Sequence, residues 1–110
     1  MSVETIWARE FECYIGRAGV EIWDVRSPEE YAKKHIRGAK NMSYQSYEDC
    51  EMQAENCMDK EKTYILYCDR GGLSMAFARE LDKKGYQVKS VIGGIMAYRG
   101  NDLECFESND

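Results

Sequence analysis

Thr63-Tyr64-Ile65-Leu66-Tyr67 runs without a break into Cys68-Asp69-Arg70-Gly71-Gly72-Leu73-Ser74, and an amphipathic helical stretch follows at once. Branched and aromatic side chains over the first five positions predict a buried strand. A two-glycine turn and then a helix leave the chain little choice. It must leave a sheet at the carboxyl end of a strand and return as a helix packed on that sheet. Such units build parallel sheets covered on both faces. Their ligands bind beyond the carboxyl ends of the strands, which directs attention to Cys68 and to a second tight turn at Gly93-Gly94.

The same alternation runs along the whole chain. Residues 7–17 carry Trp7, Phe11, Tyr14 and Ile15 at helical spacing and predict a first helix stopped by Gly19. Residues 20–25 read as a strand. Ser27-Pro28-Glu29-Glu30 predicts a helix start, with Ser27 as cap, Pro28 in the first turn and Glu30 closing a capping box, into which a contact from Arg26 ties it. A short extended piece is expected at 40–42 and a loose helical loop at 46–58. Ser74 is expected to open a helix through Leu81, with Met75, Ala78 and Leu81 inward and Phe77 beside them. Lys83-Lys84-Gly85 forms its stop. Residues 88–92 predict a strand and 95–99 a short helix, and the acidic tail from about residue 101 frays. At 110 residues this is one domain, α/β, able to fold without metal or disulfide.

Charge narrows the function. The formal net charge is −5 and no basic stripe is present, which argues against nucleic acid and against anionic membranes. The polar, acidic start shows no signal-peptide pattern, so the expected location is the cytoplasm, where the five cysteines (Cys13, Cys50, Cys57, Cys68, Cys105) stay reduced. Cys50 and Cys57 are seven apart and would share a helix face. With one histidine and no tight ligand spacing, no metal site is expected. His35 and the Asp24/Arg26 pair read as structural, His35 joining backbone or Asp24. Trp7, Trp23, Phe11 and Phe77 read as core.

Cys68 is where chemistry concentrates. A helix N-terminus presents unpaired N–H groups and partial positive charge. Two glycines let the backbone curl so that successive amides form an anion nest. A thiolate at the mouth of that nest is favoured. So is a persulfide, whose anionic outer sulfur reaches one bond further. Arg70 supplies a charge for an anionic donor. Asp69 opposes it unless its side chain turns outward. The plain alternative, a small buried hydrophobe at a strand end, needs no such nest.

Three stretches together resemble the rhodanese family. Ile22 to Tyr31 with His35-Ile36-Arg37-Gly38-Ala39-Lys40-Asn41 is similar to its N-terminal signature. Tyr64 to Ser74 is similar to its active-site strand and loop. Val91-Ile92-Gly93-Gly94-Ile95 with Tyr98 is similar to its C-terminal signature, where Trp is the more usual last residue. The resemblance implies a five-stranded parallel sheet flanked by helices on both faces, with Cys68 as sulfur-accepting nucleophile. It implies that the amides of residues 69 to 73 hold the persulfide, and that Arg70 contacts the donor. The expected binding set is Asp69, Arg70, Gly71, Gly72, Leu73 and Ser74. Leu73 departs from the family, which often places Arg, Thr or Ser there. An apolar rim disfavours thiosulfate and favours a thiol or protein persulfide. Phosphatases sharing the fold use a longer loop ending in Arg, and neither Leu73 nor Ser74 can grip phosphate in that bidentate way.

Expected, then, is a sulfurtransferase passing sulfur through Cys68 persulfide by two-step covalent catalysis, with no cofactor. Its donor would be thiosulfate or a persulfide, its acceptor a thiol. The alternatives are a sulfur relay between partner proteins and a non-catalytic binding module on the same fold. Tyr98 and Arg99 stand as candidates for the pocket rim or for packing.

Overall fold

The computed structural model describes residues 3–44 and 56–105. Most of the expected loop at 46–58, Cys50 and the last five residues lie outside them. Five strands form one parallel sheet: β1 (Glu4–Trp7), β2 (Val20–Asp24), β4 (Lys40–Asn41), β5 (Thr63–Tyr67) and β6 (Gln87–Ile92), in the order β1-β6-β5-β2-β4. Two short strands, β3 (His35–Ile36) and β7 (Leu103–Glu104), pair antiparallel beside it.

The strands alternate between two cores. Along β5, Tyr64 and Leu66 face one side and Ile65 and Tyr67 the other, all fully buried. The first side is covered by α3 (Gly72–Lys83), through Phe77, Ala78 and Leu81. The second is covered by α1 (Phe11–Tyr14), by Tyr31 of α2 (Pro28–Lys33), and by a 3-10 turn at Ile95–Ala97. Helices therefore flank both faces, as expected of a sheet buried on two sides.

The structure corrects four local expectations. The predicted first helix is shorter and later. Glu4–Trp7 is an edge strand paired with β6, a 3-10 turn spans Ala8–Glu10, and only Phe11–Tyr14 is α-helical. Pairing with β6 overrides the helical spacing, and Glu10 holds the turn by accepting the Trp7 backbone N–H at 2.5 Å. Trp7 is consequently not core but 54% exposed. Helix α3 starts at Gly72 rather than Ser74, and Ser74, fully buried, takes the inward place expected for Met75. Its C-terminus ends as expected. Gly85, at φ +92°, donates to Asp82 O and Tyr86 to Leu81 O, the paired closure that glycine permits.

Candidate functional site

Cys68 follows the last residue of β5 and is 5% exposed. Its Sγ accepts the Gly71 N–H at 3.0 Å and the Ser74 N–H at 3.4 Å. Gly71 is the N-cap of α3, at φ +107°, a conformation side chains resist. The sulfur thus sits against the first turn of a twelve-residue helix, where unpaired amides and the helix dipole favour an anion.

Two buried hydroxyls stand behind it. Ser74 Oγ lies 3.6 Å from Sγ, reaches Gly71 O at 3.2 Å, and lies 3.0 Å from Ser90 Oγ on β6. Both serines are at most 1% exposed. Ser90 carries no motif that marks it in the sequence. Its only signal is a polar residue at a strand position whose neighbour two back, Val88, faces the core.

The two glycine turns interlock. Ile95 N–H donates to Cys68 O and Met96 N–H to Asp69 O, each at 3.0 Å. A Cβ on Gly94 would lie 2.3 Å from Cys68 O, and one on Gly71 3.1 Å from Val91 O. The Gly93-Gly94 turn is therefore the floor against which the Cys68 loop is shaped.

Arg26 departs from its expected role. The Ser27–Glu30 cap forms, with Glu30 N–H donating to Ser27 Oγ at 3.3 Å, but Arg26 turns away from it. The guanidinium, almost buried, grips Asp24 at 2.7–3.1 Å, donates to Lys34 O, and reaches Asp69 Oδ1 at 3.3 Å. Burial works against its charge, but Asp24 more than offsets that, so it stays cationic. Asp69 is thereby drawn toward Arg26, which compensates its charge beside Cys68. A hydrogen bond to Asp69 also raises the Glu30 carboxyl above its ordinary range, with burial adding to the effect.

These groups open on a cavity of about 770 Å³. Its lining includes Cys68, Asp69, Arg70, Gly72 and Leu73 of the expected set, together with Val25, Arg26, Glu30, Tyr44 and Met96. Gly71 and Ser74 stand beneath it, on the sulfur. His35 is elsewhere, stacked on Tyr31 at 3.8 Å with Nδ1 2.7 Å from Tyr31 O, a structural place on backbone. Tyr98 packs edge-on against Phe11 and donates to Glu12, so it is a packing residue. Cys13, Cys57 and Cys105 are exposed and in no disulfide. Among the described residues no group of three His, Cys, Asp or Glu converges as a metal site, and no helix is long and apolar enough to cross a membrane.

A covered parallel sheet whose strand ends present a cysteine in an amide nest defines the class, and the chain belongs to the rhodanese-like domain family, which it matches over residues 8–101. Among its relatives, the thiosulfate sulfurtransferase GlpE of Coxiella burnetii is 30% identical over 88 residues, 79% of this chain and 78% of that one. A tRNA sulfurtransferase of Desulfurococcus amylolyticus is 38% identical over 78 residues, 71% of this chain, but the match spans only 14% of that protein. A rhodanese-like domain protein from Staphylococcus aureus superposes with a TM-score of 0.79 at 27% identity, over 94% of this chain and 98% of that one.

Proposed function

We propose that this protein is a rhodanese-type sulfurtransferase that carries sulfane sulfur on Cys68 in the cytoplasm. The observation that carries the reading is the Cys68 sulfur, held by the Gly71 and Ser74 amides at the base of an open cavity. The thiolate attacks the outer sulfur of a donor. A new S–S bond forms, the donor's own S–S bond breaks, and its electron pair leaves on sulfite from thiosulfate or on a thiolate from an organic persulfide. An acceptor thiolate then attacks the outer sulfur of Cys68 persulfide, takes it, and returns Cys68 to thiolate. No oxidant, metal or organic cofactor enters this balance.

The lining favours the organic donor. Leu73 and Met96 offer apolar wall, while Arg26 is engaged by Asp24 and Asp69, leaving Arg70 to face a dianion in the company of Glu30. The relatives named for thiosulfate and for tRNA sulfur transfer support the reaction class.

Intact-mass spectrometry tests both points. Incubation with cysteine persulfide is expected to add one sulfur, removed by cyanide and absent from Cys68→Ser. Thiosulfate is expected to load more slowly, and Leu73→Arg to raise that rate about tenfold by adding a cation at the rim. Failure of wild type to gain sulfur from any donor would remove the enzymatic reading. Equal thiosulfate rates in wild type and Leu73→Arg would remove the donor preference.

A further inference from the structure

The large hydrophobic residues that the described chain leaves exposed are Trp7 (54%), Leu73 (42%), Ile92 (40%) and Met96 (56%), and they share one end of the molecule. Trp7 and Ile92 are register partners at the carboxyl ends of β1 and β6. With Ala97 they line a hollow of about 220 Å³. On the other side of the 95–97 turn, Met96 and Leu73 line the Cys68 cavity. The turn thus joins two hollows into one apolar face with the cysteine at one end. Trp, Met and Leu gathered in this way, rather than scattered singly, mark an interaction surface.

The Trp7 end of the face is cationic: its hollow is lined by Arg9 and no carboxylate, whereas the Cys68 cavity holds Asp69 and Glu30 beside Arg70. Arg9 stands over the Trp7 ring at 6.0 Å, Arg70 lines the Cys68 cavity, and Arg99 donates to Met96 O at 2.9 Å. All three are exposed, and none forms an ion pair among the described residues. Three arginines without an ion pair among the described residues border this face on a chain whose net charge is −5. A second copy is a poor occupant, because a two-fold pairing of this face would set arginines against arginines.

We propose that this face docks a partner protein through an acidic segment with an apolar core, which brings the partner's sulfur-bearing cysteine to Cys68. The inference rests on the sulfurtransferase reading and adds the kind of macromolecule that exchanges sulfur with it. Trp7 and Ile92 would take the apolar core, Arg9 and Arg99 the flanking carboxylates. Transfer is the step given above: Cys68 thiolate forms the new S–S bond, and the pair leaves on the partner's cysteine.

The test uses two synthetic peptides with one leucine-flanked cysteine persulfide each, set between aspartates and glutamates in one and between lysines in the other, with cysteine persulfide as the small donor. Wild type is expected to load from the acidic peptide at least about tenfold faster than from the basic one, the margin shrinking as salt rises. Arg9→Glu with Arg99→Glu is expected to invert the preference. Trp7→Ser with Ile92→Ser is expected to slow both peptides about tenfold and leave cysteine persulfide unchanged. Fluorescein-labelled peptides with serine for cysteine read docking without chemistry, by anisotropy. Equal binding of the two peptides, or a preference that the charge-reversed variant retains, overturns the docking face. So does self-association by gel filtration that the Trp7/Ile92 variant abolishes. Selective binding of the acidic peptide with no sulfur gained from any donor would instead overturn the sulfurtransferase reading and keep the face.

Discussion

Ser90 does not line the cavity, yet its hydroxyl is the last link in a chain that ends on the Cys68 sulfur. One hydroxyl hydrogen serves Ser74, and it has two uses. It can remain on Gly71 O, or rotate toward Sγ when the sulfur is anionic, with Ser90 donating from behind in either case. Ser90→Ala is therefore expected to slow persulfide loading about fivefold, the worth of roughly 1 kcal/mol for one hydrogen bond. Stopped-flow loading should show this in the maximal rate and not in the donor concentration needed for half of it. A matching loss in both would place Ser90 in packing alone. Glu30 gives a second prediction at this scale. Because Asp69 raises its carboxyl pKa, the folded state favours the protonated form. That contribution is present below the ordinary carboxylate range and is lost as pH rises through the raised value. Glu30→Gln keeps the neutral form at every pH. It should match wild type in acid and exceed it at neutral pH by roughly 0.5 kcal/mol or less, since the group is largely solvated. Thermal melts across that range decide it.

Between elements, the site depends on two turns that share backbone. The loop after β5 and the turn after β6 exchange hydrogen bonds through Ile95 and Met96, and Gly94 fits because it lacks a Cβ. Alanine there would press on Cys68 O and Asp69 O, at a φ of +58° and ψ of −159° that only glycine adopts readily. Gly94→Ala is expected to cost more than roughly 3 kcal/mol in urea unfolding and to abolish loading. Gly38→Ala makes a control, since it has positive φ but open space around it and should cost only about 1–2 kcal/mol, with loading intact. The apolar pattern did announce β5, the turn and α3, because strand and helix periods are local. It misplaced β1, because whether Glu4–Trp7 extends or coils depends on β6, more than eighty residues on.

Across the whole molecule, Arg26 joins parts that are distant in sequence. It ties the end of β2 to the close of α2 through Lys34 O and to the Cys68 loop through Asp69. Its partner Asp24 is fully buried, so removing the cation strands a charge. Arg26→Met should destabilise the protein by about 3–5 kcal/mol. Adding Asp24→Asn should recover part of that, because the stranded charge is then gone. Urea midpoints for the single and double variants test this, and simple additivity would count against the coupling.

The strand–turn–helix unit from Thr63 to Lys83, the strands at 20–24 and 87–92, the Ser27 cap and the Gly85 stop were legible in the sequence alone. Each rests on hydrophobic period, capping or glycine conformation within a few residues. Tertiary structure decided the rest. It sent Arg26 to Asp24 and Asp69 instead of Glu30, set Ser90 behind Ser74, laid β1 along β6, and left Trp7 exposed beside Ile92. Those outcomes depend on which strand ends meet in space, and pairing between elements tens of residues apart leaves no periodic trace in the chain.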